Sequence, residues 1–223
     1  MIRFIDVKKT YFKPYNKVLD GISFDVENGS MIAVMGRSEV GKTTLLMLLG
    51  CLERIDSGSY WYNDIEVSDL KKKDFDKFRK EHISFIFQNF ELIPEYSVYE
   101  NVEIPLLARN VVKRKEKINS ALKRVGIWDY RKKKPHKISG GEQQRCAIAR
   151  AIVADTDIIL ADEPTGALDG ETAGEIMGLL KSLKQQGKTI IVVTHDEKVA
   201  SYCDYVIQIK KEKLLGEDIW RWS

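Results

Sequence analysis

One stretch decides the fold of this chain: Gly36-Arg37-Ser38-Glu39-Val40-Gly41-Lys42-Thr43. It fits the phosphate-loop pattern G-x-x-x-x-G-K-[ST], with a short apolar strand before it and a helical pattern after it. In such a loop the glycines leave backbone N–H groups open to phosphate oxygens, the lysine reaches the β- and γ-phosphates, and the threonine hydroxyl holds Mg²⁺. The sequence therefore predicts a nucleotide and Mg²⁺ site formed by residues 36–43 and the adjoining Thr44.

Strand and helix patterns alternate around this loop. Apolar or alternating runs predict strands at 2–7, 22–26, 31–35, 58–67, 82–87, 157–161, 189–194 and 205–209. Helical patterns cover 44–52, 101–108, 113–125, 141–154 and 172–185. Alternating strands and helices favour a parallel α/β core. The block from about 90 to 155 has no strand pattern, which indicates an inserted helical lobe.

Composition limits the class of protein. A chain of 223 residues with 43% hydrophobic and 31% charged residues is typical of a soluble globular protein. Its longest uncharged apolar stretch, Thr43 to Leu52, is too short to span a bilayer, and we expect no signal peptide. A net charge of +3 gives no reason to expect a nucleic-acid partner. We predict that Cys51, Cys146 and Cys203 are buried thiols in a reducing compartment.

Three short basic runs stand out locally, at 71–73, 113–115 and 131–134. Runs of this kind are most often solvated helix faces, which is our expectation here. An approach of one of them to an anionic membrane surface stays open as the alternative.

Two carboxylates close the apolar run that ends at Ala161. Asp162 is suited to ligation of Mg²⁺, because a hard cation prefers carboxylate oxygen. Glu163, one residue further on, is placed to polarise an attacking water as general base. A buried strand that merely ends in charged residues is the structural alternative, and the phosphate loop upstream favours the catalytic interpretation.

A serine and two glycines open the helix that precedes this strand. Ser139 and Glu142 have the spacing of a capping box, in which the serine caps the helix and the glutamate reaches back. Gly140 and Gly141 leave backbone N–H groups uncovered at a positive helix end, which is a natural site for an anion. Both interpretations can hold together.

In this order along the chain, these motifs resemble those of the ATP-binding cassette (ABC) ATPases. The resemblance implies a P-loop NTPase (RecA-like) core with an N-terminal antiparallel β subdomain and an inserted α-helical subdomain. It implies one nucleotide-binding domain over 1–223, with the core and β lobe in 1–87 and 154–223 and the helical lobe in 88–153. It also implies a homodimer that encloses two ATP, in which the signature residues of one copy contact the nucleotide of the other: Ser139, Gly140, Gly141 and Glu142.

Further roles follow from the same resemblance. Gln88 would sense Mg²⁺ and the attacking water, His195 would contact the γ-phosphate, and Asp169 would lie in the D-loop at the subunit boundary. Tyr11 would stack on adenine, with Phe12 as a neighbouring candidate and an ordinary strand aromatic as the alternative.

The phosphate loop departs from the family at one position. ABC loops read G-x-x-G-x-G-K-[ST], and Glu39 stands where the middle glycine is expected. A non-glycine residue at positive φ costs roughly 1–2 kcal/mol. A carboxylate pointing at the phosphates would add roughly 3 kcal/mol per charge as an upper bound. We expect Glu39 to point away from the phosphates, so that ATP affinity is lowered but not abolished.

Several motifs narrow the resemblance to the MacB/LolD-type branch: Gly50–Glu53, Gln88–Pro94, Glu100–Leu106 and Ala161–Asp169. It implies an integral membrane permease partner of the MacB/FtsX-like kind, a cytoplasmic location on the inner face of the cell membrane, and a coupling helix received by Phe90, Leu92, Ile93 and Tyr96. Two other functions stay open, a soluble ABC ATPase acting on ribosomes or DNA and a regulatory subunit with low turnover. The terminal Trp220 and Trp222 are either a frayed end or a contact with a partner or membrane.

Overall fold

The computed structural model describes residues 1–12, 15–36, 41–209 and 219–221, and at 12, 15, 16 and 219–221 the backbone alone. Some sequence predictions lie outside these described residues. They are the phosphate contacts of Arg37, Ser38, Glu39 and Val40, the orientation of Glu39, stacking by Phe12, and the roles of the Trp220 and Trp222 side chains.

Strands and helices alternate along the chain as the sequence predicts. The strands are β1 (Ile2–Phe12), β2 (Tyr15–Val26), β3 (Met31–Met35), β4 (Ser57–Tyr62), β5 (Ile65–Glu66), β6 (Ile83–Ile86), β7 (Ile158–Asp162), β8 (Thr189–Val193), β9 (Tyr205–Gln208) and β10 (Ile219–Arg221). The helices are α1 (Lys42–Leu49), α2 (Lys72–His82), α3 (Val98–Ala108), α4 (Arg114–Arg124), α5 (Gly140–Ala154), α6 (Gly170–Lys184) and α7 (Glu197–Ala200). Short 3₁₀ turns lie at Val67–Asp69, Trp128–Tyr130 and Pro135–Lys137.

The strands form two sheets. The N-terminal sheet is antiparallel, in the order β2-β1-β4-β5. The second sheet has the order β10-β9-β3-β8-β7-β6, and its five strands from β9 to β6 are parallel. Only the edge strand β10 runs antiparallel to its neighbour. In this sheet β3 lies between β9 and β8, although both follow it by more than 150 residues in the sequence. The phosphate loop therefore begins at the end of a central strand.

The parallel sheet is buried on both faces, and alternate residues of each strand belong to different cores. On β3, Ile32 and Val34 face the core shared with α1, α2 and the antiparallel sheet. Met31 and Ala33 face the core shared with α3, α4, α5, α6 and α7. This two-sided burial explains why the strands are continuous apolar runs rather than alternating ones.

The structure confirms the predicted burial of the three cysteines, which are free thiols. Burial raises the pKa of each thiol to about 12, those of Cys51, Cys146 and Cys203 alike. Among the described residues no helix is both long and apolar enough to cross a membrane.

Some element boundaries differ from the prediction. The strands predicted at 2–7 and 22–26 are the outer parts of one long hairpin. The pairing of its two strands shifts register at several points between Phe4 and Thr10. Helix α2 was not predicted, because only Phe75 and Phe78 of its eleven residues are buried and the rest of the helix is strongly polar. The basic run 71–73 does lie exposed at the start of this helix, whereas 131–134 follows a 3₁₀ turn and is not helical.

Candidate functional site

The helix after the phosphate loop begins at a glycine, and any other residue at this position would strain the backbone. Gly41 has φ 94°, in the left-handed region, and is the N-cap of α1. A Cβ at this position would lie 2.7 Å from Cγ1 of Val18 and 2.9 Å from Cδ2 of Leu19. No side chain of the described residues caps the helix, and its first turn holds no acidic residue. The first-turn N–H groups and the positive helix end therefore suit an anionic ligand.

Lys42 lies between this loop and the acidic strand end. Its Nζ donates to the carbonyl oxygen of Gly36 at 2.5 Å. Burial raises the pKa of the Asp162 carboxyl, the neighbouring Glu163 charge raises it further, and the Lys42 ammonium opposes both. A lysine close to two carboxylates provides charges of both signs, as a site for phosphate and a divalent cation requires.

Glu163 directly follows β7 with a strained backbone. Its φ is 43°, and its N–H donates to the carbonyl of Val193 on the adjacent strand β8 at 2.9 Å. A non-glycine residue in the left-handed region costs about 1 kcal/mol or more, and such strain concentrates at functional sites. Its side chain is only 15% exposed although it ends a strand at the sheet edge. The backbone turn therefore aims the carboxylate along the edge of the sheet rather than into solvent.

Two side chains from the end of β8 contact this carboxylate. Nδ1 of His195 lies 2.6 Å from Oε1 of Glu163, and the hydroxyl of Thr194 donates to Oε2 at 3.2 Å. The histidine side chain itself is 74% exposed. The general-base candidate is thus oriented by two groups, and Thr194 is one that sequence reasoning missed.

Gln88 reaches the same edge from β6. A Cβ built on Gly166 would lie 2.9 Å from Nε2 of Gln88 and 3.5 Å from Cβ of Glu163. The structure therefore brings together Gln88, Asp162, Glu163 and His195 at the carboxyl ends of three neighbouring parallel strands. This is the edge where ligands bind in open α/β sheets.

The loop after Gln88 is fixed by an arginine. Phe90 and Glu91 have φ of 62° and 46°, two consecutive left-handed residues. Arg150 of α5 donates to both of their carbonyls, at 2.8 Å to Phe90 and 2.5 Å to Glu91. The guanidinium thereby offsets the strain of the turn and ties the loop to the helical lobe.

An asparagine fixes the far end of the same loop. Asn101 is completely buried, and its Oδ1 accepts from the N–H of Ile93 at 2.8 Å. Its Nδ2 donates to the carbonyls of Ile93, Tyr96 and Ser97 at 3.1, 3.3 and 3.0 Å. Between these two anchors Ile93 and Tyr96 are exposed, while Phe90 and Leu92 are half-buried.

Tyr11 lies on β1 above the start of α1. Its hydroxyl donates to Oε2 of Glu53 at 2.8 Å, and Thr44 lies close enough to influence the pKa of the hydroxyl. Nζ of Lys9 lies 5.5 Å from the centre of the tyrosine ring. Burial raises the pKa of Tyr11 above its ordinary value, and the Glu53 hydrogen bond adds to the shift. The ring therefore stands beside the first turn of the phosphate-loop helix, as an adenine-stacking residue requires.

The Ser139 turn forms the capping box that its spacing predicts. The Ser139 hydroxyl accepts from the N–H of Glu142 at 3.3 Å, and the Glu142 carboxylate accepts from the N–H of Ser139 at 2.7 Å. A Cβ on Gly141 would lie 2.7 Å from Cγ2 of Thr172, whose N–H is capped by Asp169 at 2.9 Å. The starts of α5 and α6 therefore meet at Gly141, with exposed Ser139 beside them.

The described site residues thus form two groups, which are joined where Gln144 of α5 donates to the carbonyl of Pro164 at 2.8 Å. One group surrounds Lys42 at the edge of the parallel sheet, and the other surrounds Ser139 where α5 meets α6. Sequence motifs found the members of each group. They assigned no role to Glu53, Arg150 and Thr194, whose partners are distant in sequence, or to Asn101, whose partners lie four to eight residues away.

A phosphate loop, an acidic strand end, a glutamine, a histidine and a separate Ser-Gly-Gly helix start define a class of ATP-hydrolysing cassettes. Comparison of the sequence gives the same class: the family model described as "ABC transporter" matches residues 19–166. The chain belongs to the ABC transporter family and is an ABC ATPase.

Among similar curated proteins is the macrolide export ATP-binding/permease protein MacB of Vibrio parahaemolyticus, 42% identical over 204 residues, 91% of this chain and 31% of that protein. The protein of the same name from Rhodopseudomonas palustris is 44% identical over 201 residues, 89% of this chain and 31% of that protein. The chain therefore spans about a third of the length of the curated relatives it matches.

Among solved structures, the dimeric structure of MJ0796, a bacterial ABC transporter cassette, superimposes with a TM-score of 0.90 at 37% identity, covering 99% of this chain and 98% of that one. A dimeric post-hydrolysis state of MJ0796 bound to ADP and Pi gives the same TM-score at 36% identity, with the same coverage. The predicted fold, a P-loop core with an N-terminal antiparallel sheet, is confirmed.

Proposed function

We propose that ATP binds with its phosphates at the start of α1 and its adenine against Tyr11. Residues 36–43, with Thr44, surround the phosphates, and Lys42 turns from the Gly36 carbonyl to the β- and γ-phosphates. The support is the first turn of α1, which begins with Lys42, holds no acidic residue and is capped by no side chain in the described part of the chain. This location agrees with the preference of anions for helix N-termini.

Thr43, Gln88 and Asp162 are the residues that would hold Mg²⁺. The fit rests on the donor chemistry, since a hydroxyl, an amide and a carboxylate all offer oxygen to a hard cation. It also rests on the adjacent carboxylates of Asp162 and Glu163, since burial first and the Glu163 charge second raise the pKa of Asp162, and a cation would relieve both effects. When bound, the cation neutralises charge that develops on the phosphate oxygens.

Glu163 is proposed to act as general base for hydrolysis. It takes a proton from water while the water oxygen bonds to the γ-phosphorus and the bond from that phosphorus to the β–γ bridging oxygen breaks. The two hydrogen bonds from Thr194 and His195 fix the carboxylate at the sheet edge, where the water must stand. His195 contacts Glu163 through Nδ1, and its exposed ring, when protonated, would also donate from Nε2 to the γ-phosphate, because both nitrogens of an imidazolium are donors.

The signature and D-loop residues are proposed to complete the site of a second copy of this chain. Ser139, Gly140, Gly141 and Glu142, with Asp169, belong to the group where α5 meets α6 and not to the group around Lys42. An isologous two-fold pair would place each such group over the ATP of its partner and give two equivalent sites. The dimeric structures of MJ0796 support this arrangement.

Replacement of Glu163 by Gln tests the site and the dimer together. The change removes the base but keeps its size, so we expect ATP turnover to fall roughly 10²–10⁴-fold while ATP binding persists. Light scattering should then show a dimer with ATP and Mg²⁺ and a monomer with ADP. Glu197→Gln, the same change on an exposed residue of α7, is the matched control and should behave as the parent. Near-parental turnover of Glu163→Gln would overturn the assignment.

We further propose that the loop from Gln88 to Ser97 receives a membrane permease of the MacB/FtsX-like kind, which the ATPase drives from the inner face of the cell membrane. Two exposed apolar side chains, Ile93 and Tyr96, lie on a loop that Arg150 and Asn101 hold rigid. Rigid exposed apolar residues are typical of docking surfaces rather than of free loops. The named relatives, which are ATP-binding/permease proteins, support the kind of partner.

Affinity isolation of tagged Glu163→Gln protein from detergent-solubilised native membranes tests this partner. We expect mass spectrometry to identify an integral membrane protein, and the loss of that protein when Ile93 and Tyr96 are both changed to Asp. The double variant should still dimerise with ATP, which shows that its fold is intact. Recovery of ribosomal or DNA-repair proteins without a membrane partner would overturn the transporter proposal and leave the ATPase assignment intact.

A further inference from the structure

A cluster of charged residues surrounds the hydroxyl of Tyr11. Oε2 of Glu53, in the loop between α1 and β4, accepts a hydrogen bond from this hydroxyl at 2.8 Å. Nζ of Lys9 lies 3.4 Å from the Glu53 carboxylate and 5.5 Å from the tyrosine ring centre. The side chains of Lys9 and Glu53 are 14% and 31% exposed, so this contact is partly screened from water. The hydroxyl is therefore held at one end of the ring, and a cation lies beside the ring itself.

The loop that carries Glu53 is bound to the three residues of β1 that precede Tyr11. Asp56 accepts from the backbone N–H of Thr10 at 2.7 Å and pairs with Lys9 at 3.4 Å. The N–H of Asp56 donates to the carbonyl of Lys8 at 3.0 Å, and Lys9 donates to the carbonyl of Arg54 at 2.9 Å. Six contacts thus join residues 53–56 to residues 8–11, and the position of the Glu53 carboxylate relative to Tyr11 is set by backbone as well as side chains.

Thr44 links this cluster to the phosphate end of the site. It is the third residue of α1, is almost completely buried, and lies close enough to the Tyr11 hydroxyl to oppose the rise in its pKa that burial causes. A tyrosine ring with a free hydroxyl would rotate about two side-chain bonds. With its hydroxyl fixed between α1 and the 53–56 loop, the ring is restricted to one orientation before any nucleotide arrives, and preorganisation of this kind lowers the cost of binding.

We propose that Glu53 is a positioning residue for adenine, which holds the ring of Tyr11 ready to stack on the base of ATP or ADP. The inference rests on the proposed contact of Tyr11 with adenine and adds a residue that acts on the base through it. Lys9 completes the arrangement, because its ammonium offsets the carboxylate charge close to an anionic nucleotide. Glu53 therefore affects binding of the base and leaves the phosphate contacts unchanged.

The test compares two probes by calorimetric titration: ADP, which has the base, and tripolyphosphate, which has phosphates alone. ADP is used instead of ATP because ATP would induce dimerisation during the titration. Glu53→Ala and Tyr11→Phe should each raise the Kd for ADP about three- to tenfold, the effect of one lost hydrogen bond. The double variant should be no worse than either, because both changes remove the same interaction. Glu53→Gln keeps an acceptor oxygen and should lie within about twofold of the parent.

Tripolyphosphate should bind all of these variants as it binds the parent, because none of the changes removes a phosphate contact. Glu103→Ala is the matched control, since Glu103 is a similarly covered carboxylate in an ion pair with Arg114 at 2.6 Å. Weaker tripolyphosphate binding in Glu53→Ala would show a general structural effect and overturn the proposal. So would additive effects of the two single changes.

Two further variants separate this inference from the proposed function on which it rests. Lys42→Ala should lose both probes, and Tyr11→Ala should weaken ADP alone, by roughly five- to hundredfold for a lost base stack. If Tyr11→Ala binds ADP as the parent does, the adenine contact itself is wrong. If Tyr11→Ala weakens ADP but Glu53→Ala and Tyr11→Phe do not, the adenine contact stands and the positioning role of Glu53 is wrong.

Discussion

Asn101→Ala should loosen the loop between Gln88 and Ser97 without touching the nucleotide site. The side chain is completely buried and makes four hydrogen bonds to the backbone at Ile93, Tyr96 and Ser97. Its amide has only two N–H groups to donate to three carbonyls, while its oxygen accepts one hydrogen bond from the Ile93 N–H. About three of the four hydrogen bonds are therefore strong. At about 1 kcal/mol each, and with the Ile93 N–H left without its partner, the loss is roughly 2–4 kcal/mol.

A change of this size is readily measured. For a chain of this length each kcal/mol shifts Tm by about 2–4 °C, so Tm should fall by roughly 4–16 °C. Hydrogen exchange should also show faster exchange confined to residues 92–97, because the loop loses its anchor while Arg150 still holds Phe90 and Glu91.

Asn119→Ala is the matched control for this experiment. It removes the same side chain from α4 of the same lobe, but among the described residues the Oδ1 of Asn119 is buried without a hydrogen-bond partner. We expect that variant to lose less than about 1 kcal/mol. If Asn101→Ala costs no more than Asn119→Ala, the four hydrogen bonds do not stabilise the loop and the reasoning is refuted.

Three other predictions concern packing, pH and thiol chemistry. Gly141→Ala should lower stability by about 1–3 kcal/mol, because its Cβ would lie 2.7 Å from Cγ2 of Thr172; Thr172→Ser removes that methyl group and should restore much of the loss in urea unfolding. The Lys188 hydrogen bond lowers the pKa of Asp155 from 3.8, so this pair stabilises the fold above that pH and less as the pH falls below it. The difference in unfolding free energy between the parent and Lys188→Met should therefore be present at about pH 7 and shrink below pH 3.8. With a pKa of about 12, the three cysteines should not react with a thiol reagent in the native protein and should all react after denaturation.

The parts of the fold that follow local patterns could be predicted from the sequence. The parallel strands are short apolar runs because both faces are buried, and the helices of the 88–153 block carry clear apolar periodicity. The inner half of the β1–β2 hairpin was missed, since Lys8, Lys9 and Lys17 interrupt the alternation there. Its strands are defined by pairing with each other, which a pattern within one strand does not show.

The candidate site divides in the same way. Gly41, Lys42, Asp162 and Glu163 belong to contiguous motifs, and the structure places them at one edge of the sheet. The residues that orient them come from elsewhere: Thr194 lies 31 residues from the Glu163 carboxylate that it contacts. Such partners are fixed by sheet order, and one sequence contains no local signal for them.

Alternate residues of the central strands serve two different cores, and this has a mechanical consequence. Met31, Ala33 and their neighbours on β7 and β8 pack directly against the helices between Gln88 and Ala154. The helical lobe is therefore joined to the sheet by a densely packed interface. Densely packed interfaces move between discrete arrangements rather than yielding gradually. We therefore expect the helical lobe to tilt between discrete packed arrangements. Any force that it transmits would then change in steps and not continuously.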